Sequence, residues 1–218
     1  MNTDNDEVAA EIAEVTPTRP WVRDRILSAA GELFYCRGIR GVSVGAIATE
    51  AGSNMMSFYR HFGSKEELAA EYLRQRTCEA WEHWDATIAP HQGNPRRQFE
   101  ALFAVHLAKD KASRGCALGY VAIEISDDDQ VLAELLRGFK REVRERLRKM
   151  AHELGARDPG ALGDALMLLM DGSDVTRLVF PGNGGPTASL MCAVNALIDA
   201  HLPAVHGRSL PSCIGGSR

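Results

Sequence analysis

Tyr59, His61 and Lys65 bring a phenol, an imidazole and an ammonium together in one short stretch of chain. Phenol and imidazole N–H and O–H groups donate to phosphate oxygens, and an ammonium beside a helix start makes an anion site. Nothing comparable points to bond-making chemistry. There is no Gly-rich phosphate loop, no nucleophile elbow and no His-Glu-x-x-His pair, and the histidines form no constellation. The residues therefore read as a binder of anions and not as an enzyme. No cofactor and no metal is implied.

Stepping outward, Ser43, Asn54 and Ser64 are small polar residues placed where helices must begin. Each can accept a hydrogen bond from the first turn of the helix that follows it. Ser64 with Glu67 fits the capping-box spacing. Gly38, Gly52 and Gly63 supply stops between the segments. Three helices are predicted here: Trp21 to about Gly38, a short one after Ser43, and another from Met55 to about Phe62. The inward positions of the first are Val22, Ile26, Ala29, Ala30, Leu33 and Phe34, at three- and four-residue steps. A long helix from Lys65 to about Ile88 follows, stopped before Pro90.

The remaining chain is helical in the same manner. Helices are predicted over 96–109, 116–125 and from Asp127-Asp128-Asp129 to Leu154, the last with Leu132, Leu136, Phe139, Val143 and Leu147 on one side. Two more follow over 161–180 and 187–202, separated by a Pro/Gly-rich turn. No segment alternates with a period of two. The fold class is all-α, with about nine helices.

Composition agrees with this and narrows the setting. The chain has 218 residues, 45% of them hydrophobic, with a net charge of −4. Its longest apolar stretch, Ala165 to Met170, is far too short for a membrane span, which needs about 20 residues. The first residues lack a signal-peptide pattern, so a cytoplasmic protein without membrane contact is expected. Five cysteines at wide spacings, with no Cys-x-x-Cys pair, suggest reduced thiols. The charge is uneven: residues 1–18 carry acids alone, whereas residues 19–65 hold seven basic against three acidic side chains. A local basic surface is what phosphate contact requires, whatever the total. The run from Lys140 to Lys149 alternates with Glu142 and Glu145 and reads as a solvated helix face.

The string Ile47-Ala48-x-x-Ala51-Gly52, then Phe58-Tyr59-x-His61-Phe62-x-Ser64-Lys65-Glu66-Glu67-Leu68, closely resembles the DNA-binding domain of TetR-family regulators. The upstream Arg25-Ile26-Leu27-x-Ala29-Ala30 … Leu33-Phe34 … Gly38 is similar to that family's first helix. The resemblance implies a helix-turn-helix in which the helix from Asn54 enters the major groove. Base-edge contacts would then come from the set Asn54, Met55, Met56, Ser57 and Phe58, which begins that helix. Phosphate contacts would come from Tyr59, His61, Lys65 and, at the start of the second helix, Ser43. Met56 stands where the family commonly has a small residue, so contact there would be more apolar. Phe58 opens on the same helix, and Phe62 reads as core.

The resemblance further implies a dimeric, ligand-responsive repressor of a palindromic double-stranded DNA operator. The expected domains are an acidic disordered leader (1–19), the helix-turn-helix domain (20–66), a helical effector-binding and dimerisation domain (67–203) and a flexible tail (204–218). The homodimer would form through the last two long helices. Candidate contacts to an unknown small-molecule effector are Trp81, Trp84, Phe103, His106, Cys116, Tyr120, Met167, Met170 and Asp171. Arg114-Gly115-Cys116 resembles a segment of some of these regulators in which the cysteine senses electrophiles or oxidants. A redox-sensing regulator using Cys116 is the alternative reading.

Overall fold

A computed structural model describes residues 21–108, 117–125, 129–180 and 185–203; the expected leader, the tail and Cys116 lie outside them. The described residues form nine α-helices and no strand. The first three are α1 (Val22–Arg37), α2 (Val44–Glu50) and α3 (Met55–His61). They are followed by α4 (Lys65–Ile88), α5 (Pro95–Ala108), α6 (Ala117–Glu124), α7 (Gln130–Glu153), α8 (Pro159–Val179) and α9 (Leu190–His201). No helix among the described residues is long and apolar enough to cross a membrane.

The capping residues read from the sequence all form their bonds. Ser43 Oγ accepts from Ala46 N at 3.2 Å, Asn54 Oδ1 from Ser57 N at 2.8 Å, and Ser64 Oγ from Glu67 N at 3.1 Å. Glu67 reaches back to the Gly63 N–H at 2.9 Å, one residue earlier than an ideal capping box. These bonds matter because α2 and α3 have only seven residues each. Helices that short are unstable alone and depend on caps and packing. Packing comes from Ile26, Ile47, Phe58 and Leu68, none of which retains exposed surface. Burial of one such side chain contributes about 1.5–3 kcal/mol.

Between α2 and α3 the chain turns at Gly52, whose φ of 57° is the left-handed region. Ser53 N there donates to Ala48 O at 2.8 Å, closing α2. Phe34 of α1 meets Tyr72 of α4 edge to face, centroids 5.6 Å apart, so α4 continues out of the N-terminal unit without a break.

In the larger unit, α7 lays Leu132, Leu136, Phe139, Val143, Leu147 and Met150 into the core. Its closest partner is α8, and Gly163 marks the tightest approach. A Cβ at Gly163 would lie 2.9 Å from Arg148 N, so only glycine lets the two backbones meet this closely. The basic run on α7 is not merely a solvated face. Arg144 and Arg148 both donate to the Asp164 carboxylate on α8, and Arg146 Nη1 reaches Asp85 of α4 at 2.7 Å. Periodicity identifies the polar side of a helix but not which neighbour's charges stand opposite. The last helix also starts later than its sequence suggests. Pro186–Ser189 form a 3₁₀ turn, with Ala188 N bonded to Gly185 O, before α9 begins.

The expectation of wholly reduced cysteines fails at one position. Cys36 and Cys78 are free and exposed, but Cys192 is disulfide-bonded. Separation along the chain does not measure separation in the fold.

Candidate nucleic-acid interface

The second helix of the helix-turn-helix is anchored by one residue and displays its neighbours. Phe58 is fully buried and packs on Phe62, ring centroids 6.0 Å apart. That anchor turns the opposite side of α3 outward. Met56 is 75% exposed, Tyr59 53% and Met55 50%, with Arg60 and His61 exposed beside them. The Phe58 ring meets Tyr59 edge to face at 5.2 Å, which supports the Tyr59 ring while its hydroxyl stays accessible. Such a face offers methionine thioethers for thymine methyls and polar donors for phosphates.

Two predicted contacts have first duties inside the protein. Ser43 and Asn54 accept capping bonds through their oxygens, which leaves the Ser43 hydroxyl hydrogen and the Asn54 amide hydrogens free to donate. Lys65 is more committed. Its Nζ donates to the carbonyls of Ile39 and Val42, both at 3.1 Å, and so ties α4 to the loop between α1 and α2. One of its three N–H donors remains. The same loop is held from the other side by α6. Glu124 Oε2 accepts from Ile39 N at 2.6 Å and from Arg40 N at 3.4 Å. Gly38, at φ 77°, lies so close to this carboxylate that a Cβ would overlap it.

The basic block is divided in the same way. Arg23 pairs with Glu71 at 2.9 Å, and Arg25 Nε donates to Ala51 O at 3.1 Å. The guanidinium beside Glu71 holds that carboxyl below its usual range. Arg37, Arg40 and Arg60 are exposed and hold no ion pair among the described residues. Arg60, on α3 itself, joins the candidate interface. The sequence counted these arginines as charge without separating free ones from tied ones.

The effector candidates do not converge. Trp81 packs on Phe139 with centroids 5.0 Å apart and is covered by the Arg146 guanidinium at 4.3 Å. Phe103 and Met170 are buried in the core, Met167 is half-buried, and Asp171 pairs with Lys140. The side chains of His106 and Tyr120, like Cys116, lie outside the described residues. Trp84 alone among the described candidates lines a groove of about 630 Å³ between α4, α5 and α7.

Residues 26–72 match the family model for bacterial regulatory proteins, tetR family. That segment, α1 to the start of α4, is a DNA-binding domain of the tetR type. Among curated TetR-family relatives, the HTH-type transcriptional repressor DhaR of Mycobacterium sp. (strain GP1) is 29% identical, over 56% of this chain and 62% of its own length. The HTH-type transcriptional regulator LmrA of Bacillus subtilis (strain 168) is 32% identical, over 51% of this chain and 61% of its own. The chain thus spans about three-fifths of these two relatives. A crystal structure described as a putative TetR transcriptional regulator from Streptomyces avermitilis is 27% identical. It superposes with a TM-score of 0.71 over 84% of this chain and 98% of that one.

Proposed function

We propose that the protein is a DNA-binding transcriptional repressor that grips a palindromic operator as a homodimer and is released by a small-molecule effector. The observation that carries this reading is the α3 surface: Met55, Met56, Tyr59, Arg60 and His61 stand outward on a helix locked from behind by Phe58. Repressors among the relatives favour the same sense of regulation. Base contacts come from Asn54, Met55, Met56 and Ser57. Tyr59, His61, Ser43, Arg60 and the remaining Lys65 donor serve phosphates. The protein works in the cytoplasm, where its operator is.

Dimerisation rests on α8, whose second half is turned inside out. Ser173, Asp174 and Arg177 are buried, while Val175, Leu178, Val179 and Phe180 are exposed, and Leu168 two turns earlier is 74% exposed. A contiguous apolar strip of this kind marks a protein contact. Two copies joined there through α8 and α9 present two α3 helices, and paired half-sites multiply specificity. An effector that prefers a conformer with altered spacing must do so by about 10⁴-fold to shift the population from 1:99 to 99:1. The thiol-switch alternative at Cys116 gains no support from the relatives.

The test is a selection of bound sequences from random duplexes, followed by anisotropy titration at several salt concentrations. Tyr59→Phe combined with Lys65→Ala should weaken binding and flatten the salt dependence, and Arg60→Ala should lower the slope by about 1. Unchanged affinity and slope in these variants would remove the DNA-binding assignment.

A further inference from the structure

We infer that the acidic leader, residues 1–19, covers the α3 face when no DNA is present and competes with the duplex for it. Glu7, Glu11 and Glu14 recur at steps of four and three, and Val8, Ile12 and Val15 recur at the same steps one place on. Wound as a helix, these residues set a stripe of carboxylates beside a stripe of apolar groups. The α3 face is the complement of that pattern. Met55 and Met56 are exposed apolar groups, and Arg60 and His61 stand exposed beside them. A guanidinium that can grip a phosphate can grip a carboxylate with the same fork of donors. Residues 1–18 contain five acids and no lysine or arginine, so no cation within them satisfies those acids.

The fold delivers the leader to this face. The described chain begins at Trp21, which is 83% exposed, and the first turn of α1 lies against both ends of α3. Arg25 donates to the carbonyls of Ala51 and Gly52 just before α3, and the Arg23 guanidinium sits 5.1 Å from the Phe62 ring centroid just after it. The residues from Thr16 to Pro20 can reach about 17 Å when extended. A helix as short as α3 is only about 10 Å long. The apolar strip on α8 is the rival seat for Val8, Ile12 and Val15. It displays no basic residue, however, and Lys140 beside it already pairs with Asp171. A short tether gives an effective concentration of about 1 mM, so a contact with a dissociation constant of about 0.1 mM lowers DNA affinity about tenfold.

That the covered face reads DNA rests on the repressor reading, but docking of the leader does not. Removal of residues 2–18 from the full chain should tighten binding to operator and to random duplex about tenfold at low salt, with the gain fading as salt rises. Glu7→Gln, Glu11→Gln and Glu14→Gln together should do the same. Val8→Ser with Ile12→Ser keeps every charge and should also tighten binding, by at least about threefold. In the DNA-free protein, the methyl NMR signals of Met55 and Met56 should move on removal of residues 2–18. Those of Met150 and Met170, buried in the core, should not. Affinity that falls or stays unchanged on removal overturns the proposal. Stationary Met55 and Met56 signals do so as well. So does a Val8→Ser, Ile12→Ser variant that matches the parent, because acids that only repel DNA from a distance need no apolar stripe. The methyl signals are read without DNA, so a chain that binds no duplex refutes the repressor reading and still reports on docking.

Discussion

Two outward faces of this chain are apolar, and what accompanies the apolar groups differs between them. On α3, Met55, Met56 and Tyr59 are interleaved with Ser57, Arg60 and His61, on a helix of seven residues. On α8, Leu168, Val175, Leu178, Val179 and Phe180 stand together while Asp174 and Arg177 point inward. A mixed, cationic face suits a grooved polyanion, which offers methyls and phosphates side by side. An apolar face whose one acid, Asp171, is already paired with Lys140 suits another protein surface. The comparison teaches that the partner is read from the pattern of polar groups around an exposed apolar residue, not from the exposure itself.

The strongest way to break the comparison is at α8. Leu168→Glu with Val175→Glu should convert the dimer to a monomer in sedimentation velocity and weaken operator binding by about a hundredfold or more, through lost avidity. A variant that stays dimeric would move the interface elsewhere.

A smaller effect is expected behind that face. Gly163→Ala forces a methyl against the α7 backbone and should cost about 1–3 kcal/mol in urea unfolding. It should leave the α3 surface untouched, so affinity per folded dimer stays constant.

Smaller again is the change in how the two units communicate. Glu124→Gln keeps the shape but removes the charge that holds the Ile39 and Arg40 amides. Exchange of those two amide hydrogens should quicken by about tenfold, consistent with loss of a charge-assisted bond. Unchanged protection would mean that α6 does not hold the loop.

The smallest concerns Asp164, whose carboxyl is held well below the ordinary carboxylate range, first by its hydrogen bonds from Arg144 and then by those from Arg148. A lowered folded-state value means that its contribution is complete above the unfolded value of about 3.9 and fades as pH falls below it. Because the cluster is solvent-screened, the difference between Asp164→Asn and the parent should be slight near neutrality and should vanish in acid. A gap that persists in strong acid would rule out this ion cluster as its source.

The sequence by itself determined the helices and the reader. Caps at Ser43, Asn54 and Ser64, stops at Gly38 and Gly52, and a 3.6-residue apolar rhythm are local signals, so element boundaries fell within a residue or so over most of the chain. Only the tertiary structure decided which polar groups are free. Lys65, Arg23 and Arg25 look like Arg60 in sequence, yet backbone carbonyls and Glu71 take them and leave Arg60 in solvent. It also decided that half of α8 is inverted and that Trp84, not Phe103, borders a void. Local propensity sets where a helix runs, whereas the pairing of charges and the placing of voids depend on residues brought together from distant parts of the chain.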